Sequence, residues 1–137
     1  MAIIYVDGSG FSGNSSAYCI FYKNSNKPIL KVFYENHSAL FMETLVLRDC
    51  LIECEKNSTI YTDCKILTGY VLFGWQTHLE ELKPLIKEIK NLIKEKNCNL
   101  IWLNRYNNKA GKYLEHRNEM IRNYKKACTF SFRRKRW

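Results

Sequence analysis

The sequence predicts an α/β domain built on a mixed five-stranded sheet, with elements in the order β-β-β-α-β-α-α-β-α. Three observations carry this. Three β-type runs open the chain with short polar connections, which demands antiparallel pairing. From Ser38 the apolar spacing changes from alternating to helical. Later strand-like runs are separated by helical segments, and strand–helix–strand connections pair in parallel. Helices on the faces of a mixed sheet satisfy all three.

Ala2 to Asp7 (AIIYVD) reads as a buried strand, because β-branched and aromatic residues run into a polar turn. The following GSGFSGNSS reads as a Gly/Ser/Asn loop. Ala17 to Lys23 and Ile29 to Tyr34 are the next strands, joined by the NSNKP turn. Leu40, Glu43, Leu47, Cys50, Leu51 and Cys54 recur at helical spacing, so Ser38 is read as an N-cap and the helix as running to about Glu55. Ser58 to Thr62 is a short strand ending at Asp63, and Lys65 to Phe73 a second helix. Thr77 and Glu80 have capping-box spacing, while Pro84 favours a regular helix that starts only there. Leu82, Leu85, Ile86, Ile89, Leu92 and Ile93 form its apolar stripe, with lysines opposite. Asn99 to Asn104 is the fifth strand. Ala110 to Ala127 is the last helix, which leaves residues 129–137 as a basic, aromatic tail after a domain spanning 1–128.

With 137 residues and 46% hydrophobic composition, the chain has material for one core and is too short for two ordinary domains. No run approaches the apolar length of a membrane span, and MAIIYVDGSG lacks the basic and small-residue pattern of a signal peptide. A cytoplasmic, monomeric protein is the expectation. The charge is uneven: residues 1–104 balance 11 Lys/Arg against 11 Asp/Glu. Residues 105–137 set 11 Lys/Arg against Glu115 and Glu119 alone, so the whole net charge of +9 lies there. Such asymmetry points to a polyanionic partner, nucleic acid before membrane, with Phe130, Phe132 and Trp137 available for base stacking. A solvated tail that only aids solubility is the plainer alternative.

Three acids are placed where chemistry can use them. Asp7 and Asp63 end β-type runs, and Glu43 sits early in the first helix. Acids converging from three elements repel one another unless a divalent cation neutralises them, which makes a metal site the first functional reading. Turn acids or surface ion pairs are the simpler account of each taken alone. The six cysteines form no CxxC pair, so a zinc ribbon is not expected, and Cys50 and Cys54 read as small buried hydrophobes. Two histidines are candidates for chemistry: His37, in a loop, to gate product release or contact the nucleic-acid backbone, with an ordinary exposed side chain the plainer reading, and His116, beside Glu115, as a mobile base near the metal. Trp102 is expected to pack in the core.

The order of elements and acids resembles the ribonuclease H family over nearly the whole chain. VDGS at 6–9 resembles the strand-one motif, and Gly13-Asn14 the small-residue turn after it. Met42-Glu43 resembles the acid of the first helix, and IYTDC at 60–64 the strand-four motif. LIWLNRYNNKAG at 100–111 resembles the segment joining strand five to the last helix. Glu43 follows Asp7 by 36 residues and Asp63 follows Glu43 by 20, spacings that suit a compact member.

The resemblance implies a metal-dependent endoribonuclease that hydrolyses the RNA strand of RNA/DNA hybrids. Its Mg²⁺ or Mn²⁺ ions, two with substrate bound, would be held by Asp7, Glu43 and Asp63, with Asp7 shared between them. It further implies nucleic-acid contacts at Gly8, Ser9, Asn14, Ser38, Arg105 and Asn107, joined by Arg133, Arg134, Lys135 and Arg136 of the basic tail. Glu115, His116 and Arg105 are auxiliary candidates. Three departures accompany it. Gly111 stands where a fourth aspartate is expected, with Lys112 beside it and Glu115 one helical turn on. Ala39 and Leu40 stand where two asparagines read the hybrid's minor groove. The basic projection between helices is absent or reduced, leaving Lys83, Lys87, Lys90, Lys94 and the C-terminal region as the cationic surface. Two other readings therefore stay open: a binding module on the same fold with weakened or lost catalysis, and a nuclease of the same superfamily with another substrate.

Overall fold

The structure is a computed structural model; it describes residues 1–134, with side chains described through residue 126. Strands β1 (Ile3–Ser12), β2 (Ser15–Tyr22), β3 (Pro28–Phe33), β4 (Thr59–Thr62) and β5 (Asn99–Trp102) form one sheet in the order β3-β2-β1-β4-β5. The β1–β2 and β2–β3 pairs are antiparallel, and the β1–β4 and β4–β5 pairs parallel. Helices α1 (Ala39–Glu53), α2 (Lys65–Leu72), α3 (Lys83–Lys96) and α4 (Lys109–Arg134) complete the α/β architecture expected from the sequence. No helix among the described residues is long and apolar enough to cross a membrane.

The main core lies between the sheet and α1, α2 and α3, where Ile4, Val6, Met42, Leu47, Leu51, Ile60 and Ile89 are fully enclosed. Cys50 and Cys54 belong to it, with the Cys54 and Cys98 sulfurs 3.8 Å apart. A smaller cluster of Ala17, Cys19, Phe21, Ala110 and Leu114 seals α4 against the opposite face. Residues Met42 to Leu47 are buried without interruption, because α1 is wedged between the sheet and α3.

The segment read as a Gly/Ser/Asn loop is mostly strand. β1 continues to Ser12 and pairs with β2 through Ser9↔Ala17, then through a register shift to Ser12↔Ser15, leaving only Gly13 and Asn14 to turn. Gly13 takes φ +71°, which glycine adopts at no steric cost. Gly8 and Gly10 serve a different purpose. A Cβ at Gly8 would lie 2.4 Å from the Glu43 amide nitrogen, and one at Gly10 2.9 Å from that of Ala39. The glycines let the first turns of α1 rest on the β1 backbone.

Ser38 caps α1 as expected, its Oγ accepting the Phe41 N–H at 3.1 Å. The capping box at Thr77 does not form. Thr77 Oγ1 accepts from Leu79 N at 3.1 Å, Glu80 pairs with Lys83, and α3 starts at Lys83 with Pro84 in its first turn. The proline fixes φ for a helix start and needs no N–H there. Trp102 is 43% exposed rather than in the core, because β5 is an edge strand; its Nε1 donates to the Asp63 carbonyl at 3.1 Å. Helix α4 runs on to Arg134 without a break at residue 128. The side chains of Phe130, Phe132, Arg133 and Arg134, and all of Lys135, Arg136 and Trp137, lie outside the described residues.

Candidate metal centre

The parallel register of β1 with β4 assembles the centre. Ile3 pairs with Thr59, Ile4 with Ile60 and Tyr5 with Tyr61, so Asp7 and Asp63 each follow a paired tyrosine by two residues. Side chains two apart on a strand share a face, which brings the two acids together at the carboxyl ends of adjacent strands. Glu43 arrives from the second turn of α1, set by the contact of Met42 and Glu43 backbone with Gly8. One carboxylate oxygen from each of Asp7, Glu43 and Asp63 lies within 4.8 Å of the others. Glu43 is 7% exposed, and its Oε2 is buried without a hydrogen-bond partner.

The cluster is electrostatically strained. Burial first, then the charge of Asp63, raises the Asp7 carboxyl from 3.8 to about 6, although bonds with Glu43 and the Gly8 N–H pull the other way. Burial first, then Asp7, pushes Glu43 well above the usual carboxyl range. Two full charges at that separation repel by roughly 3–4 kcal/mol at an effective dielectric of 20. A hard divalent cation with oxygen ligands relieves this and gives the orphaned Glu43 oxygen a partner, so the donor set fits magnesium or manganese.

Asn108 holds the centre in place. Fully buried, it donates from Nδ2 to the Val6 carbonyl at 2.9 Å and to Asp63 Oδ2 at 3.1 Å, while its Oδ1 accepts the Ala110 N–H at 3.1 Å. It joins β1, Asp63 and the start of α4. Sequence reasoning singled out Asn107 instead; the signal for Asn108 was an N-cap residue type directly before a helix.

Asp7 and Asp63 open into a cleft of about 430 Å³, with Glu43 buried behind them. Its walls include Arg105, Lys112 and Arg122, three cations suited to a phosphate chain, along with Ser9 and Glu115. Ser9 Oγ accepts from Asn118 Nδ2 at 3.1 Å. Gly111 faces Asp7 directly: a Cβ there would lie 3.0 Å from Asp7 Oδ2. Glu115 lines the cleft but is not among the acids grouped within 4.8 Å. Among the described residues, those three form the only such group.

Other candidates are placed elsewhere. His116 lines a depression with Phe21 and Tyr113 rather than the acid cleft, because it lies on a different side of α4 from Glu115. This geometry does not support its reading as a base near the metal. His37 stacks on Phe41 at 4.5 Å between centroids and bonds Glu35 at 2.9 Å, so it packs the β3–α1 connection. Asn14, in the β1–β2 turn, and Asn107 are exposed and line no part of the cleft; Ser38 is occupied as the α1 cap. Gly8 lines the cleft, and its lack of a side chain is already required by α1.

An antiparallel three-stranded meander, a parallel β1–β4–β5 half, α1 to α3 on one face and α4 on the other define the ribonuclease H-like fold. Solved structures agree. The N-terminal RNase H domain of a Mycobacterium tuberculosis protein, determined as a fusion with maltose-binding protein, superposes with TM-score 0.65 at 14% identity, covering 90% of this chain and 99% of that one. RNase H1 from the halophilic archaeon Halobacterium salinarum gives TM-score 0.67 at 13% identity, over 82% and 92% of the two chains. LC11-RNase H1, solved in complex with an RNA/DNA hybrid, gives 0.62 at 16%, over 80% and 89%. No protein-family model and no curated protein sequence matches the chain.

Proposed function

We propose that the protein is a divalent-metal-dependent endoribonuclease that cuts the RNA strand of RNA/DNA hybrids. The observation carrying this is the three-acid cluster with its buried, unpartnered Glu43 oxygen, at the mouth of a cation-walled cleft. The fold and a structural neighbour solved with an RNA/DNA hybrid support the choice of substrate.

Asp7, Glu43 and Asp63 would hold Mg²⁺ or Mn²⁺, two ions once substrate is bound. The chemistry such ions supply is activation of water and neutralisation of charge on the departing 3′-oxygen. The chain's own residues do the positioning. Arg105, Lys112 and Arg122 attract and orient the phosphate backbone. Asn108 keeps the Asp63 carboxylate aimed at the cleft, and burial of Glu43 excludes water from one side of the cluster. Glu115 is the remaining cleft acid available to the second ion.

Gly111 favours a second reading, a fold that binds nucleic acid but cleaves it weakly or not at all. One assay separates them. Purified protein is incubated with labelled hybrid, double-stranded RNA, double-stranded DNA and single strands, in Mg²⁺ and in Mn²⁺. Nicking confined to the hybrid and abolished by Asp7→Asn is expected. Cleavage that persists in the variant would sink the assignment, and binding without cleavage would select the second reading.

A further inference from the structure

Below the acids, the sheet face that carries α4 bears a row of aromatic rings which the helix covers only in part. Cross-strand registers place Tyr5 beside Phe21 on one side and Tyr61 on the other, with Ile101 beyond Tyr61. Ring centroids are 5.2 Å apart for Tyr61 and Tyr5, 6.3 Å for Tyr5 and Phe21, and 5.6 Å for Phe21 and Tyr113. Helix α4 packs over β1, β2 and β3, and away from it Ile3 and Ile101 are 36% and 41% exposed. Tyr5 and Tyr61 are half-buried, and no hydrogen bond among the described residues engages either hydroxyl.

Positive charge accompanies the rings. Lys109 Nζ lies 5.7 Å from the Tyr5 centroid. At the other end of the row a depression of about 530 Å³ is lined by Phe21, Tyr113, Lys109, Lys112 and His116, without an acid. Apolar contact alone does not account for a row with Lys109 over Tyr5 and Lys112 and His116 beside Phe21 and Tyr113. Aromatic faces beside positive charge suit an unpaired polynucleotide, whose bases are free to stack while its phosphates seek cations. A duplex keeps its bases stacked inside and would use only the charges.

We infer that this face binds a single-stranded stretch of nucleic acid extending beyond the duplex held at the acids. The inference rests on the nucleic-acid reading above and adds a second contact surface to it. The overhang would lie across Tyr61 and Ile101, with its phosphates against Lys109 and Lys112.

Fluorescence anisotropy of the full chain in chelator, where no cleavage occurs, tests it. A blunt labelled hybrid is compared with the same hybrid carrying a single-stranded overhang. The overhang is expected to tighten binding by roughly 5-fold or more, the scale of one stacked base. Ile101→Glu, a change at an exposed position, and Tyr61→Ala, checked for folding by thermal melting, should each erase that gain and leave blunt-hybrid affinity unchanged. Equal affinity for both hybrids in the parent protein would overturn the inference while leaving the hybrid reading intact. Failure to bind either hybrid would overturn both. A dimer in sedimentation that Ile101→Glu dissociates would assign the face to a second copy and overturn it as well.

Discussion

Replacing Asp7 with asparagine separates what the buried acid does for folding from what it does for metal. The Asp7 carboxyl is raised from 3.8 to about 6, chiefly by burial and then by Asp63. Between those values the folded protein keeps a proton that the unfolded chain has released. Stability therefore falls as pH rises through that window, and the full cost is present above it. A gap of about two pH units corresponds to roughly 3 kcal/mol. Asparagine has the same size and no charge, but accepts more weakly from the Gly8 N–H. In chelator at about pH 7.5, Asp7→Asn is expected to be more stable than the parent by about 2 kcal/mol. For a domain of this size that is a rise in Tm of roughly 5–10 °C. The two proteins should converge near pH 4, where the parent carboxyl is protonated in the folded state. Adding Mg²⁺ should raise the Tm of the parent and leave the variant unmoved, because a ligand stabilises only a state that binds it. Melting scans in chelator and in Mg²⁺, at both pH values, read all of this. A variant less stable than the parent at the higher pH, or one with the same response to Mg²⁺, would refute the account of the cluster.

Gly111→Asp adds an acid whose Cβ lies 3.0 Å from Asp7 Oδ2. In chelator it should destabilise by about 4 kcal/mol, the repulsion of unit charges some 4 Å apart, yet tighten Mg²⁺ binding by calorimetry; unchanged affinity would show that position 111 does not face the metal. Gly8→Ala drives a Cβ to 2.4 Å from the Glu43 nitrogen, a backbone collision that no rotamer relieves. Urea unfolding should show a loss of about 3 kcal/mol or more, and a near-parental midpoint would contradict the close seat of α1. Asn108→Ala leaves the Val6 carbonyl and the Ala110 N–H without their partner. It should cost about 2–4 kcal/mol and lower metal affinity by releasing Asp63, so parental values for both would exclude its role as the centre's support.

Much of this was legible because period and polarity agree. The switch from alternation to helical spacing at Ser38 marked α1, and acids closing β-type runs marked Asp7 and Asp63. The misread places share a cause: local chemistry with two possible meanings. GSG reads as a turn because glycine tolerates any φ, whereas Gly8 and Gly10 are in a strand because another backbone needs their empty side. Thr77 and Glu80 have the spacing of a capping box, but Pro84 sets where α3 starts. Trp102 carries the composition of a core residue on a strand that the sheet leaves at its edge. Asn107 and Asn108 are indistinguishable as letters, and only the fold decides which one reaches Val6 and Asp63. His116 adjoins Glu115 in sequence, but consecutive helical residues diverge by about 100°, which sends the two into different hollows.

The seat of α1 on β1 sets two unlike repeats against each other. Gly8 receives the backbone at Met42–Glu43 and Gly10 receives it at Ser38–Ala39. Two residues of strand advance by about 6.7 Å, and four residues of helix by about 6 Å. The strand's pleat and the helix's turn are therefore nearly commensurate over this stretch, like two gears meshed at successive teeth. Sliding the helix by one residue would bring a Cβ-bearing strand position, or the wrong side of the helix, to each tooth. The position of Glu43 is consequently fixed by backbone pitch, before any side-chain torsion is chosen.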